Sequence, residues 1–388
     1  MKKFSTINKF SKNFNFLVIG GGIMGLTTAL DLSLRGFKVD LIEKHTLGKG
    51  ATLCAHMIHS GYRYLADNRG LTHLLLKENL ILQNIWKNFL IKEKGLMLIV
   101  NKKSNKDYLK RFQTNSKDIN HRLFKLNRKR IKTMELALNT SIVAGYLNVD
   151  YPLKTEFLIK GYSNTLKRQG QIIYENTKIV DVKFCKEKWN IKIKNTNQLE
   201  PLEKKYNVVI NATGSELDKT AKKFGYNVKI ERFFGSMFFI KRVITKRILT
   251  LCAPIQPGNT IIPAESGTLI GSTWAKTKKQ LRDKSSVAEV LYNINKILDR
   301  KIKQNEIKKI LYGERVHLAI DEKIENFSNK RDYAILDHSD DTGRDFFSVL
   351  PSKLSLSRFV AEELVDKILR KHKSFKRSKT KKCVINTI

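Results

Sequence analysis

An α/β fold is predicted from three observations: an apolar run that ends in a glycine cluster, a helical repeat directly after it, and a second apolar run placed as a parallel neighbour. Phe16, Leu17, Val18 and Ile19 form the first run, which stops at Gly20-Gly21-Gly22-Ile23-Met24-Gly25. Residues 26–34 then carry apolar side chains at helical intervals, and Arg35-Gly36 closes the helix. Residues 38–43, Lys-Val-Asp-Leu-Ile-Glu, read as the second strand.

In this context the glycines have separate tasks. Gly20 permits the tight turn, Gly22 lets backbone approach a pyrophosphate, and Gly25 lets the helix pack closely on the strand. The helix N-terminus presents N–H groups and a positive dipole end to phosphates. Glu43, 18 residues beyond Gly25, is placed to accept hydrogen bonds from ribose hydroxyls. The unit is thus a Rossmann-type dinucleotide site, and its glycines alone do not separate NAD from FAD.

Downstream, residues 205–210 read as a buried strand, and residues 228–240 alternate before an aromatic-rich run that favours strand. Phe233, Phe234, Met237, Phe238 and Phe239 are expected in a sheet core. Residues 286–302 and 354–369 have helical spacing, with Ser355 or Ser357 as the expected N-cap of the second.

Composition bounds the rest. The 388 residues are 41% hydrophobic and 28% charged, a globular balance that excludes a disordered or collagen-like chain and suggests two or three domains. Lys and Arg number 74 against 36 Asp and Glu, a net charge of +38, which suits an anionic partner. Lys, Asn and Ile are abundant throughout, as in a chain encoded by an AT-rich genome, so most of that charge is expected to be compositional. No RNA-recognition motif accompanies it, so a nucleic-acid partner is a lesser alternative carried by the charge alone. The four cysteines are scattered, with no metal-ligand spacing and no disulfide framework, and a reducing cytoplasm is expected. The uncharged run 13–30 has three glycines at its centre and suits strand-turn-helix better than a membrane span. The basic segment before it lacks the apolar stretch of a signal peptide.

Further motifs follow in order: Gly50-Ala51-Thr52, then Ile58-His59-Ser60-Gly61-Tyr62-Arg63-Tyr64, Asn148-Val149-Asp150-Tyr151-Pro152 and Val209-Ile210-Asn211-Ala212-Thr213-Gly214. Ile262-Pro263 with Ile270-Gly271-Ser272-Thr273, Tyr312-Gly313-Glu314-Arg315, Arg331-Asp332-Tyr333 and Lys353-Leu354 with Arg358 complete the series. Over residues 14–370 the chain resembles the FAD-dependent glycerol-3-phosphate dehydrogenases of the D-amino-acid-oxidase-like superfamily. The resemblance implies FAD as cofactor and a discontinuous Rossmann-type FAD-binding domain built from 14–95, 145–215 and 311–370. It also implies a mostly antiparallel β-sheet substrate domain over 96–144 and 216–310.

Residue by residue, it implies that Gly20, Gly22, Ile23, Met24 and Gly25 hold the pyrophosphate side, with Glu43 and Lys44 at the ribose. Ala51, Thr52, Ile179, Ala212, Thr213 and Gly214 would complete the cofactor cradle, and Lys353 and Leu354 would meet the flavin. Arg63, Arg315 and Arg331 are the implied anion binders, Tyr64 a hydrogen-bonding wall, and His59, Arg315 and Lys353 the catalytic candidates. His59 is either the general base or a residue that packs against the flavin ring. The implied reaction is oxidation of a small anionic alcohol, first sn-glycerol 3-phosphate, with an amino acid or 2-hydroxy acid as the alternative. Pro351-Ser352 replaces two glycines of the family pattern, Val316-His317 replaces Pro-Leu, and Glu314 adds a charge beside Arg315; these departures bear on the substrate more than on FAD.

Residues 371–382 carry seven Lys and Arg and no acid, within an end segment 371–388. A disordered solvated tail is expected, or one held at an anionic membrane surface, which would suit electron delivery to quinone or to a redox partner protein.

Overall fold

The computed structural model describes residues 14–50, 56–91, 93–101, 105–117, 123–277, 284–319, 333–339, 343–350 and 353–386. Strand β1 (Asn15–Ile19) lies inside a six-stranded sheet. It pairs in parallel with β2 (Lys38–Ile42) on one side and with Val208–Asn211 on the other. Beyond these, Ile172–Tyr174 continues in parallel from β2, Asp345–Leu350 pairs in parallel with Val208–Asn211, and Ala334–Asp337 closes the far edge antiparallel. The sheet therefore draws on widely separated parts of the chain.

β1 is apolar on both faces because both are covered. Phe16 and Val18 face a core shared with helix α1 (Ile23–Leu34), helix Thr155–Arg168 and helix Ser357–Lys371. Leu17 and Ile19 face the other way, toward Trp189, Ile191 and Tyr206 of a three-stranded antiparallel sheet formed by Thr177–Cys185, Lys188–Asn195 and Leu202–Tyr206. The expected strand over 205–210 is split between these two sheets at Asn207. The Asn207 side chain accepts from the Asn15 amide (3.1 Å) and its own amide donates to Asn15 O (3.1 Å), which turns the chain from one sheet into the other.

The second layer is an eight-stranded sheet, antiparallel except where Leu249–Leu251 runs parallel to Leu96–Ile99. Ile230–Ile240 and Ile307–Leu318 pair along their length, so the latter strand crosses the expected domain boundary at residue 311 and lies wholly in this sheet. Phe238 and Ile240 are buried under helix Lys284–Asn295, while Phe234 is left at a cavity wall. That helix is shorter than the spacing over 286–302 predicted. Asn295 Oδ1 accepts from the Ile302 amide (2.8 Å), folding 296–302 back while keeping Ile297, Leu298 and Ile302 buried.

The end of the described chain is anchored at intervals on the core, while its basic side chains stay exposed. Ile385 is fully buried and its amide donates to Ile85 O (2.8 Å). Arg35 donates to Lys376 O (2.6 Å), the Ser378 hydroxyl donates to Asp31, and Lys381 pairs with Glu362 at 3.2 Å. Asp31 and Arg35 are buried at the last turn of α1, and burial pushes the Asp31 carboxyl up despite Arg35 and Ser378, so these groups need the partners that the tail brings.

Candidate active site

Between the two layers lies a cavity of about 1300 Å³. At one end the glycines act through backbone space. Gly20 has φ +110°, and a Cβ there would stand 2.5 Å from Ala212 O; a Cβ on Gly25 would stand 1.8 Å from Gly20 O. Strand Val208–Asn211 and α1 can approach β1 this closely only because these side chains are missing. α1 starts at Ile23 with neither a side-chain cap nor an acidic residue in its first turn, so its positive end faces the cavity. Glu43 sits at the end of β2, where one carboxylate oxygen accepts from the Gly21 amide (2.7 Å) and the other from the His45 amide (2.8 Å). Lys44 pairs with Glu216 at 2.5 Å across the same mouth. Ile179, Ala212, Thr213 and Gly214 line it, with the Thr213 hydroxyl donating to Asn211 Oδ1 (2.7 Å).

The other end is built from the loop after His59. The His59 amide donates to Ser355 Oγ (3.1 Å), and both the amide and the hydroxyl of Ser60 donate to one Asp150 oxygen (2.6 Å each). Gly61 has φ +86°, and the helical turn Tyr62–Tyr64 follows. Asp150 is buried, which pushes its carboxyl up against the lowering effect of Ser60 and Arg63. Tyr64 becomes the meeting point of the polar residues: Lys353 Nζ lies 4.9 Å from its ring centre, the Arg63 guanidinium 5.8 Å, and the His59 ring 5.8 Å. Arg315 enters from the eight-stranded sheet, its guanidinium lying over Gly235, where a Cβ would be 3.6 Å from Nη2. Glu314 is paired with Arg232 (3.3 Å), which also holds Asp218 (2.6 Å), so the extra acid beside Arg315 has its own cation.

His59, Arg63, Tyr64, Arg315 and Lys353 therefore line the same cavity as Gly20, Gly22, Ile23, Met24, Glu43 and Leu354. Ala51, Thr52, Arg331 and Pro351-Ser352 lie outside the described residues. Neither serine caps the last helix: Leu356 is the N-cap, and Ser355 is used by His59. Arg358 lies away from the cavity, bound by two 2.7 Å hydrogen bonds to Glu78 and one of 2.5 Å to Glu362. Sequence reasoning missed Asp150 and Ser355 as supports of the His59 loop. Asp150 stood in a motif that was noticed, but nothing local shows that its partner is Ser60, 90 residues away.

A family profile described as FAD dependent oxidoreductase matches residues 15–316. The chain belongs to that family. Among curated relatives, one subunit of the anaerobic glycerol-3-phosphate dehydrogenase of Escherichia coli (strain K12) is 23% identical over 374 residues, covering 93% of this chain and 68% of that protein. The subunit of the same name from Haemophilus influenzae is 24% identical over 391 residues, with 96% and 67% covered. Solved structures of like fold include glycine oxidase from Geobacillus kaustophilus (TM-score 0.72, 16% identity, 92% and 95% covered). FAD-bound L-alpha-glycerophosphate oxidase from Mycoplasma pneumoniae is another (TM-score 0.72, 17% identity, 90% and 93% covered).

As an FAD-dependent oxidoreductase, the chain has a cradle that suits its cofactor. A Cβ would fill the space at Gly20, the uncapped start of α1 faces anionic oxygens, and Glu43 is held where it can also accept from hydroxyls. The cavity exceeds the roughly 300–1,000 Å³ of a typical ligand site, leaving room for a small substrate beside a dinucleotide. When bound, FAD supplies a two-electron acceptor. The protein's own part is to place cations along the cavity wall, to hold the His59 loop rigid through Ser60 and Ser355, and to keep Lys353, only 9% exposed, against the Tyr64 face.

Proposed function

We propose that this FAD-dependent oxidoreductase oxidises a small anionic secondary alcohol to the ketone, with sn-glycerol 3-phosphate, giving dihydroxyacetone phosphate, as the first candidate. The observation that carries the reading is the convergence of Arg63, Arg315 and Lys353 with His59 around the wall formed by Tyr64 in one cavity. Fixed guanidinium groups bind phosphate or carboxylate in the planar, two-point manner that a flexible lysine does not. His59 would take the hydroxyl proton and bound FAD would supply the hydride acceptor at flavin N5, so alcohol minus two electrons and two protons gives ketone. The relatives named glycerol-3-phosphate dehydrogenase add support for a phosphate on the substrate.

The test is anaerobic bleaching of the flavin absorbance by a substrate panel. Bleaching by sn-glycerol 3-phosphate supports the reading. Bleaching only by amino acids or 2-hydroxy acids replaces the substrate but keeps the anion site. In Arg315→Ala, the expected result is normal flavin absorbance with bleaching slowed by more than about 100-fold, the scale of a lost charge-assisted contact of about 3 kcal/mol. Bleaching at the wild-type rate removes Arg315 from the substrate.

A further inference from the structure

The geometry points to a peripheral membrane-binding surface at the loop after the last helix, with an anionic lipid bilayer as its occupant. This inference is independent of the substrate. Helix Ser357–Lys371 ends, the chain turns at Lys373 with φ +55°, and Phe375 stands out 80% exposed. Around it Lys373, Lys376, Arg377 and Lys379 are all exposed, and none of the four pairs with a carboxylate among the described residues.

The loop is held from below. Ser374 is buried, Lys376 O accepts from Arg35, the Lys376 ammonium lies 4.3 Å above the Phe37 ring, and Ser378 and Thr380 fold inward to Asp31 and Arg358. An exposed phenyl ring normally turns toward its own core, but here the anchors on both sides, Ser374 and Ser378, fix the tip outward. A bilayer meets both demands of such a surface, since its anionic headgroups take the cations while the boundary below them takes one aromatic ring. An RNA partner offers the charge without that apolar layer. No helix among the described residues is long and apolar enough to cross a membrane, so the contact is a surface one.

The experiment uses the full FAD-loaded chain and co-sedimentation with phosphatidylcholine vesicles made with and without phosphatidylglycerol. A chain of net charge +38 binds anionic vesicles to some degree through charge alone, so the comparison is between variants. Lys373→Asn/Arg377→Gln is expected to weaken binding about thirtyfold, from about 1 kcal/mol per basic residue at such a surface. The charge-matched control Lys192→Gln/Lys194→Gln, on the exposed side of strand Lys188–Asn195, is expected to change it less than about threefold. Phe375→Ser is expected to cost about tenfold with no change in charge. Phe375→Trp is expected to be quenched by brominated lipid only in anionic vesicles. The inference is overturned if the control variant loses as much as the loop variant, if Phe375→Ser binds like the wild type, or if the Phe375→Trp signal ignores the brominated lipid.

Discussion

Asp150→Ala is the substitution that best tests how the site is held. Asp150 Oδ1 is the acceptor for two donors of Ser60, the amide and the hydroxyl, both at 2.6 Å, and Ser60 is fully buried. Removing the carboxylate orphans both, at about 1–3 kcal/mol each, so a loss of about 2–6 kcal/mol in stability is expected. Asparagine keeps an oxygen at the same place. Its neutral bonds are weaker, but the burial cost of the charge disappears, and a net change within about 1 kcal/mol follows. Because burial raises the Asp150 carboxyl above its ordinary 3.8, the folded state binds that proton more tightly than the unfolded chain does. The wild type must therefore lose stability relative to Asp150→Asn as pH rises through and above that value. The assay is denaturation at fixed FAD concentration across pH 4 to 8, with flavin bleaching measured alongside. Since Ser60 lies between His59 and Arg63, the alanine variant should also lose about 100-fold in bleaching rate, the cost of a misplacement near 1 Å, and asparagine should restore most of it. Equal stability of the two variants, or full activity in the alanine variant, would refute the assignment of Asp150 as the positioning residue of this loop.

Three further outcomes follow from the same geometry. Gly20→Ala places a Cβ 2.5 Å from the Ala212 carbonyl at φ +110°, so purified protein should carry no flavin absorbance; normal FAD content would contradict the cradle. Ile385→Ala should cost about 2–5 kcal/mol in denaturation, as for other fully buried isoleucines, whereas a solvated tail would give no change. In Asp345 the burial that would raise the carboxyl is outweighed by the close contacts of His372 (2.7 Å) and Lys371 (2.8 Å), so its carboxyl is held below the ordinary 3.8. Its contribution is present above that pH and lost as pH falls through the lower folded value, so the stability gap between wild type and Asp345→Asn should be constant from pH 5 to 6 and shrink in acid.

What the sequence made legible was local backbone necessity. Gly20 and Gly25 could be assigned because a turn with positive φ and a helix pressed on a strand each exclude a side chain, and that requirement is written within a few residues. His59, Arg63, Arg315 and Lys353 could be brought together only through the family resemblance, and all four line one cavity. Asp150 with Ser60 was not legible, because a buried acceptor and its donors are joined by tertiary packing alone. The break at Asn207 was hidden for a related reason. Asn207 is the most strand-disfavouring residue in 205–210, and the turn depends on its amide side chain pairing with β1, which the local sequence does not show.

The tail shows how composition can mislead about placement. A run with seven Lys and Arg and no acid reads as solvated, because nothing in it resembles a core. Its anchors are instead Ser374, Ser378 and Thr380 between the charges and Ile385 beyond them, which go inward at intervals that let the lysines stay out. The sites they meet were prepared elsewhere, by Asp31 and Arg35 at the C-terminal end of α1 and by Arg358 in the first turn of the last helix. α1 thus works at both ends, with uncapped amides at the cofactor and a buried ion pair at the tail. Loss of the tail would remove the Lys376 carbonyl and the Ser378 hydroxyl from Arg35 and Asp31 on the helix whose other end opens on the cavity, which ties the basic segment to that helix through packing.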